Sequence, residues 1–328
     1  MAKASFFGRL SNSTLDATIV RSFDKRGFAR HQRFFDAEDL QVDMSGRVCL
    51  VTGANSGLGY ATCQGLAARG ASVWMICRNA ERGAAAQNTL QAEFPDADIH
   101  LALLDVSDLS AIRAFCEALP LAHIDVLVHN AGILPAERGV SADGLDHTLA
   151  TNLVGPFALT HGLLARLRQG DRPRIIWVSS GGMYSKKLSV KRLAHPPDPF
   201  DGVTAYADTK RGMAVASEFL AEQLLEAGIA VHCMHPGWAD TPGVQTSIPT
   251  FWERTQDILR TSAEGADTIV WLAVCDKAQS QSGRFWFDRS PKRTHLLFWT
   301  SSSPAKRKAF FEELHRWAQL PEDAFLSQ

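Results

Sequence analysis

Tyr206-Ala-Asp-Thr-Lys210 sets a phenol and an ammonium four residues apart. On a helix that spacing puts both on one face. A phenol ordinarily titrates near ~10, so using Tyr206 as an acid or base near ~7 requires stabilising its anion by roughly 4 kcal/mol. Lys210 is the cation in position to do it. The same spacing also occurs on solvated helix faces, so the rest of the chain decides.

Thr52-Gly-Ala-Asn-Ser-Gly-Leu-Gly59 follows an apolar run and opens a helical pattern. Its glycines, Gly53, Gly57 and Gly59, with Asn55, Ser56 and Leu58 between them, form a turn whose backbone N–H groups and helix dipole suit a pyrophosphate. The spacing is G-x-x-x-G-x-G rather than the G-x-G-x-x-G dinucleotide fingerprint. The second strand ends in Cys77-Arg78-Asn79, where NAD-binding folds often place an acid for the ribose hydroxyls. Arg78 suits a 2′-phosphate instead, which favours NADP(H) over NAD(H). Asp105-Val106 after the third strand either meets the adenine edge or, at Asp105, simply begins the turn into the Ser107 cap. Asn130-Ala131-Gly132 ends the fourth strand, at the edge where open sheets bind ligands. Asn152 lies inside an apolar helical run, where an amide without a partner costs roughly 1–3 kcal/mol.

These residues need a frame. From Arg47 onward short apolar runs alternate with longer amphipathic ones, the pattern of βαβ units and a parallel sheet. Strands are expected over 48–51, 72–77, 99–104, 126–129, 174–178, 230–234 and 285–287. Helices are expected over 57–69, from Asn79 to Pro95, after a Ser107 cap, over 145–168 with a bend at Gly155-Pro156, around Tyr206 to about Glu226, over 261–274, and after Ser303-Pro304. A chain of 328 residues, 45% hydrophobic, can bury the core this requires. Residues 1–46 read as a basic, aromatic, helical extension. Its reading is either packing on the catalytic domain, 47–328, or peripheral contact with a membrane surface.

Composition excludes several classes. Thirty-four Lys and Arg against thirty-five Asp and Glu argue against a nucleic-acid binder that works by phosphate neutralisation. The cysteines at 49, 63, 77, 116, 233 and 275 form no C-x-x-C pair, which fits a reduced, cytoplasmic protein. No secretion signal is legible, and no stretch nears the ~18 apolar residues of a membrane span. His232-Cys-Met-His235 is no metal site, because on a strand positions 232 and 235 face opposite ways.

In order, Thr-Gly-x-x-x-Gly-x-Gly at 52–59, Asn-Ala-Gly at 130–132, Asn152, Ser180, Tyr-x-x-x-Lys at 206–210 and Pro236-Gly237 resemble the short-chain dehydrogenase/reductase family. The resemblance covers roughly residues 46–290 and implies a single Rossmann-type, doubly wound α/β domain with seven parallel strands. It implies that Tyr206 exchanges a proton with the substrate oxygen, that Lys210 lowers its pKa and bonds the nicotinamide ribose, and that Ser180 holds the substrate oxygen. It further implies that Asn152 anchors a water linking Lys210 to solvent, that Asn130 supports the central strand, and that Thr241 touches the nicotinamide amide. Ser179-Ser-Gly-Gly-Met183, Pro199-Phe-Asp-Gly202, Met234-His-Pro-Gly-Trp-Ala-Asp-Thr-Pro-Gly-Val244 and Glu264-Gly-Ala-Asp-Thr268 match one branch of the family beyond its shared core.

One departure stands out. Ser180 and Tyr206 are 26 residues apart, about twice the family's usual separation, with residues 183–201 as an extra segment carrying Lys186, Lys187, Lys191 and Arg192. Retinol dehydrogenase-like members resemble the chain there. The expectation is an NADP-dependent oxidoreductase of an apolar, retinoid-, steroid- or lipid-like alcohol or carbonyl compound, compatible with a homo-oligomer. The alternative is a non-catalytic NADP-binding scaffold or sensor that recruits a partner.

Overall fold

The computed structural model describes residues 22–296 and 298–325. Its centre is β1, Val48–Thr52, buried at every position, as a strand covered on both faces must be. β2 (Ser72–Cys77), β3 (Ile99–Leu103), β4 (Val126–His129), β5 (Arg174–Val178), β6 (Ala230–Met234) and β7 (Phe285–Phe287) join it in parallel, and β8 (Ser290–Lys292) pairs antiparallel with β7. The order is β3-β2-β1-β4-β5-β6-β7-β8, so the chain winds outward from β1 to β3 and then crosses back to β4. The crevice between β1 and β4 is the switch point where such sheets bind ligands.

Alternation along the strands divides the interior into two layers. Leu50, Leu127, Ile175, Trp177 and Val231 face one way, under the helices Gly202–Gln223 and Pro304–Trp317. Cys49, Val51, Val128, Ile176 and Met234 face the other, under Gly57–Ala67 and Ser262–Val274. All six cysteines are buried free thiols, small apolar fillers as expected.

The structure corrects several expectations. β8 was not anticipated: its turn uses Asp288 and Arg289 at φ 48° and 55°, not the Asn-Gly that signals a tight hairpin, and Pro291 argues against a strand. At the sheet's last position Pro291 is tolerated. The helix after β3 is capped by Asp108, whose carboxylate accepts from Ser110 and Ala111 N–H, while Ser107 is buried against Asp105. The helical run over 147–167 carries an unexpected π turn, Ala150–Val154, immediately before the expected break at Gly155-Pro156, where a new α-helical stretch starts with Pro156 in its first turn. Gly155 is there for contact, since a Cβ would stand 1.7 Å from the Val106 carbonyl oxygen.

Of the amino-terminal extension, residues 1–21 lie outside the described residues. The remainder forms a helix, Lys25–Gln32, capped by Asp24, and a 3-10 turn, Ala37–Leu40. Phe23 and Phe28 are buried in the protein, so this part packs on the sheet domain. Among the described residues no helix is long and apolar enough to cross a membrane.

Candidate active site

The residues singled out from sequence lie along the edge formed by the carboxyl ends of the strands. Thr52 closes β1, Arg78 follows β2, Asp105 follows β3, Asn130 follows β4, Ser180 follows β5 and Pro236 follows β6.

The glycine turn and the Asn130 loop are stapled together. The Thr52 hydroxyl donates to the Val128 carbonyl at 3.2 Å and accepts from the N–H groups of Asn130 and Ala131, each at 3.0 Å. Asn130 Nδ2 donates to the carbonyls of Thr52 and Gly53 at 2.9 and 3.2 Å. A Cβ on Gly59 would stand 2.3 Å from the Gly53 carbonyl oxygen, so the turn closes only over glycine. Gly57 holds φ +55°, left-handed backbone that suits glycine. Ser56 precedes the helix Gly57–Ala67 and makes no side-chain cap, which leaves the first-turn N–H groups for an anion. The Thr241 side chain lies over this turn, 3.2 Å from where a Gly57 Cβ would be, and caps the helix Pro242–Ser247. This cradle fits a dinucleotide pyrophosphate.

Arg78 and Asp105 face each other at 3.8 Å, both partly exposed. Asp105 also takes the Ser107 N–H and hydroxyl, so it shapes the turn after β3. Val106 is buried and contributes backbone to that turn.

Tyr206 and Lys210 sit in the first half of the helix Gly202–Gln223, started by an Asp201 cap. Lys210 Nζ lies 5.3 Å from the centre of the Tyr206 ring. Lys210 is buried and donates to the Val178 carbonyl at 2.8 Å, leaving two of its three N–H donors without a protein partner among the described residues. A Cβ on Gly132 would stand 3.3 Å from Asn152 Oδ1 and 3.4 Å from Lys210 Nζ, so both polar groups converge on that glycine.

Asn152 is fully buried and finds its hydrogen-bond partners on two residues. It accepts from the Ile133 N–H at 2.8 Å and donates to the Ile133 carbonyl at 3.0 Å, then to Thr209 Oγ1 at 3.1 Å. The π turn carries it; the amide expected to need a partner thus ties the β4 loop to the Tyr206 helix. Ser180 caps a 3-10 turn, Gly181–Ser185, and accepts from the Gly182 N–H at 3.2 Å. The neighbouring Ser179 is buried and donates to the Lys210 carbonyl at 2.9 Å, bracing the helix.

Burial dominates the electrostatics. It pushes the Tyr206 phenol up to about 12, with the Ser180 side-chain hydrogen bond pulling the other way. It brings the Lys210 ammonium down to about 8, with Cys233 opposing. The lowering of the Tyr206 pKa expected from Lys210 is not seen; burial and the Ser180 hydrogen bond are the two influences on the phenol. Near neutrality the protein therefore holds a protonated phenol beside an ammonium.

The Pro236-Gly237 turn engages an unexpected part of the chain. The Trp238 N–H donates to the Phe23 carbonyl at 2.8 Å, and the Phe23 ring lies against Gly181, where a Cβ would stand 2.4 Å from Cε2. Arg260 donates to the carbonyls of Ser22, Asp24 and Pro236 and to both oxygens of Asp288, which is also bonded to His31 at 2.6 Å. The amino-terminal arm thus supports the loops on which Ser180 and Pro236 sit. Sequence reasoning missed Arg260 and Asp288, which no motif marks, and counted Phe23 only among the aromatics of the amino-terminal extension; the Thr52 hub lay inside the glycine motif. Trp238 is half-buried between Phe23 and Phe251. His232 accepts from the Trp286 indole and His235 stacks on Phe287, and no metal-binding cluster occurs among the described residues.

Comparison with known proteins agrees with this geometry. Residues 47–250 match the family described as short chain dehydrogenase. The chain is 41% identical to human (Homo sapiens) dehydrogenase/reductase SDR family member 12 over 305 residues, 92% of this chain and 95% of that protein. It is 31% identical to retinol dehydrogenase 12 of Bos taurus over 277 residues, 83% and 84% of the two chains. A crystal structure of an uncharacterized protein from Mycobacterium Paratuberculosis superposes with a TM-score of 0.69 at 25% identity, covering 86% of this chain and 97% of that one.

Proposed function

The chain belongs to the short-chain dehydrogenase/reductase family, NAD(P)-dependent oxidoreductases of CH–OH groups, and on that premise we propose that it uses NADP(H) to interconvert an apolar carbonyl compound and its alcohol. The observation that carries the reading is the convergence of Ser180, Tyr206, Lys210 and Asn152 at the carboxyl ends of β4 and β5. A scaffold that only bound nucleotide would not need a half-buried phenol and a buried ammonium placed together.

When bound, the nicotinamide supplies or accepts the hydride. Tyr206, protonated at neutral pH, acts as the acid in reduction: the carbonyl carbon takes the hydride and its oxygen takes the Tyr206 proton. The Ser180 hydroxyl holds that oxygen. Lys210, charged below about 8, steadies the phenolate left behind, and its two remaining donors serve the ribose hydroxyls. Asn152 Oδ1 keeps a lone pair on the Gly132 side, where a water can connect Lys210 to solvent and return the proton. The first turn of Gly57–Ala67 would hold the pyrophosphate and Arg78 the 2′-phosphate.

The apolar substrate is supported by the aromatic setting of the Pro236–Trp238 turn and by the similarity to a protein named for retinol. Retinoid, steroid and fatty aldehydes or ketones, offered with NADPH and followed by loss of the reduced nicotinamide signal, test it. Turnover of at least one such compound in preference to a sugar is expected. NADPH binding without turnover of any carbonyl would favour the scaffold reading.

A further inference from the structure

Between β8 and the helix Pro304–Trp317 a short segment lies on the surface. Its tip exposes Leu296 (55%), Phe298 (85%) and Trp299 (54%), whereas Phe285, Phe287, Phe310 and Phe311 nearby in sequence are buried. The loop is braced at its base. Arg211 donates to the Thr294 carbonyl at 2.7 Å, the His295 ring bonds the Thr300 hydroxyl at 3.0 Å, and Thr300 is fully buried. Ser301 donates to the Phe298 carbonyl at 2.8 Å and fixes the turn that carries both aromatics. Three large apolar side chains held outward by a built base form a surface that monomeric proteins avoid unless something covers it.

Charge indicates what covers it. Residues 290–311 contain five Lys or Arg and neither Asp nor Glu. Arg293 and Lys306 are exposed, as is Lys308, whose ammonium lies 3.7 Å from Glu312, while Arg307 pairs with Glu218. The same Arg211 that holds Thr294 also donates to the Lys186 carbonyl at 2.9 Å, which brings the insertion after β5 alongside, with Lys187 and Lys191 exposed. The helix Val190–Ala194 of that insertion packs on Pro304–Trp317. Two basic segments distant in sequence therefore flank one aromatic tip.

We propose that this loop docks the protein on an anionic phospholipid bilayer, with Phe298 and Trp299 inserted at the acyl boundary and the flanking lysines and arginines on the headgroups. Apolar insertion combined with basic flanks is the physical requirement for reversible binding at such an interface, and Trp suits that boundary because its ring is apolar and its N–H polar. The proposal is independent of the chemistry proposed above.

The test is co-sedimentation of the full chain with phosphatidylcholine vesicles, pure or containing about one part in three phosphatidylserine. The wild-type chain is expected to sediment with the anionic vesicles only and to be released by salt. F298S/W299S should weaken the partition roughly tenfold or more, and K187E/K191E should weaken it as well, while NADPH affinity and turnover of a water-soluble carbonyl stay at wild-type level. Those two readouts show that the variants are folded and separate this outcome from failure of the catalytic reading. Wild-type vesicle binding by F298S/W299S, or loss of binding in F6S/F7S alone, would overturn the proposal. So would vesicle indifference together with a self-association that F298S/W299S abolishes, which would assign the tip to a second copy of the chain.

Discussion

Arg260 and Asp288 meet through two hydrogen bonds of 2.6 and 2.8 Å, with the guanidinium closed to solvent and the carboxylate almost so. The rings of Phe28 and Phe287 lie 5.3 and 4.9 Å from the guanidinium carbon. Burial alone would raise the Asp288 pKa; the His31 hydrogen bond and Arg260 outweigh it and hold it below the ordinary 3.8. With a depressed folded-state pKa, its contribution is present in full above the ordinary carboxylate range and is lost as pH falls through the folded value.

Replacing Arg260 by Met leaves that carboxylate without its main partner and frees the carbonyls of Ser22 and Asp24. Breaking one side of a buried pair costs about 3–5 kcal/mol. Urea unfolding should show a loss of that size for R260M, with amide exchange over 22–32 quickened first. A loss under about 1 kcal/mol, with exchange unchanged, would show that the arm is held by other contacts.

Arg78 stands partly exposed beside Asp105, free to turn to a 2′-phosphate. Arg78→Ala should weaken NADPH binding roughly tenfold or more, the scale of a charge-assisted hydrogen bond, and NADH binding much less. Calorimetric titration of both cofactors reads this directly, and equal losses would remove Arg78 from cofactor choice.

The pH profile follows from Lys210. Its ammonium, brought down to about 8 by burial, loses its proton as pH rises through that value, while Tyr206 stays protonated until about 12. In the reductive direction kcat/KM, which reports the free enzyme, should therefore fall above about 8. Alcohol oxidation, which needs the phenolate, should instead rise toward alkaline pH. A flat reductive profile through this range would separate the Lys210 charge from catalysis.

The seven parallel strands and the edge they share were legible because buried parallel strands read as short apolar runs between amphipathic helices. Local chemistry was legible too: the helix starts expected near Asn79, at Thr261 and at Ser303-Pro304 all stand, and the structure shows Asn79 as a cap and Thr261 in a capping box with Glu264. β8 was hidden because Pro291 and an Asp-Arg turn contradict the usual strand signals. Packing of the arm on the domain was one of two readings open in the sequence, but the contacts that hold it were hidden for another reason. Arg260 reaches the Ser22 carbonyl across 238 residues, and bonds to backbone carbonyls leave no trace in residue type. Asn152 was conspicuous as an amide in an apolar helix, but its partners, the Ile133 backbone and Thr209, follow only from the π turn that aims it.

The most direct measurement concerns the phenol. Tyr206→Phe removes one hydroxyl from a helix otherwise left intact, so NADPH affinity should remain within about twofold of wild type while carbonyl reduction falls by ~10²–10⁴, the range for loss of a general acid. Wild-type turnover by Tyr206→Phe on any carbonyl that the native chain reduces would contradict the account.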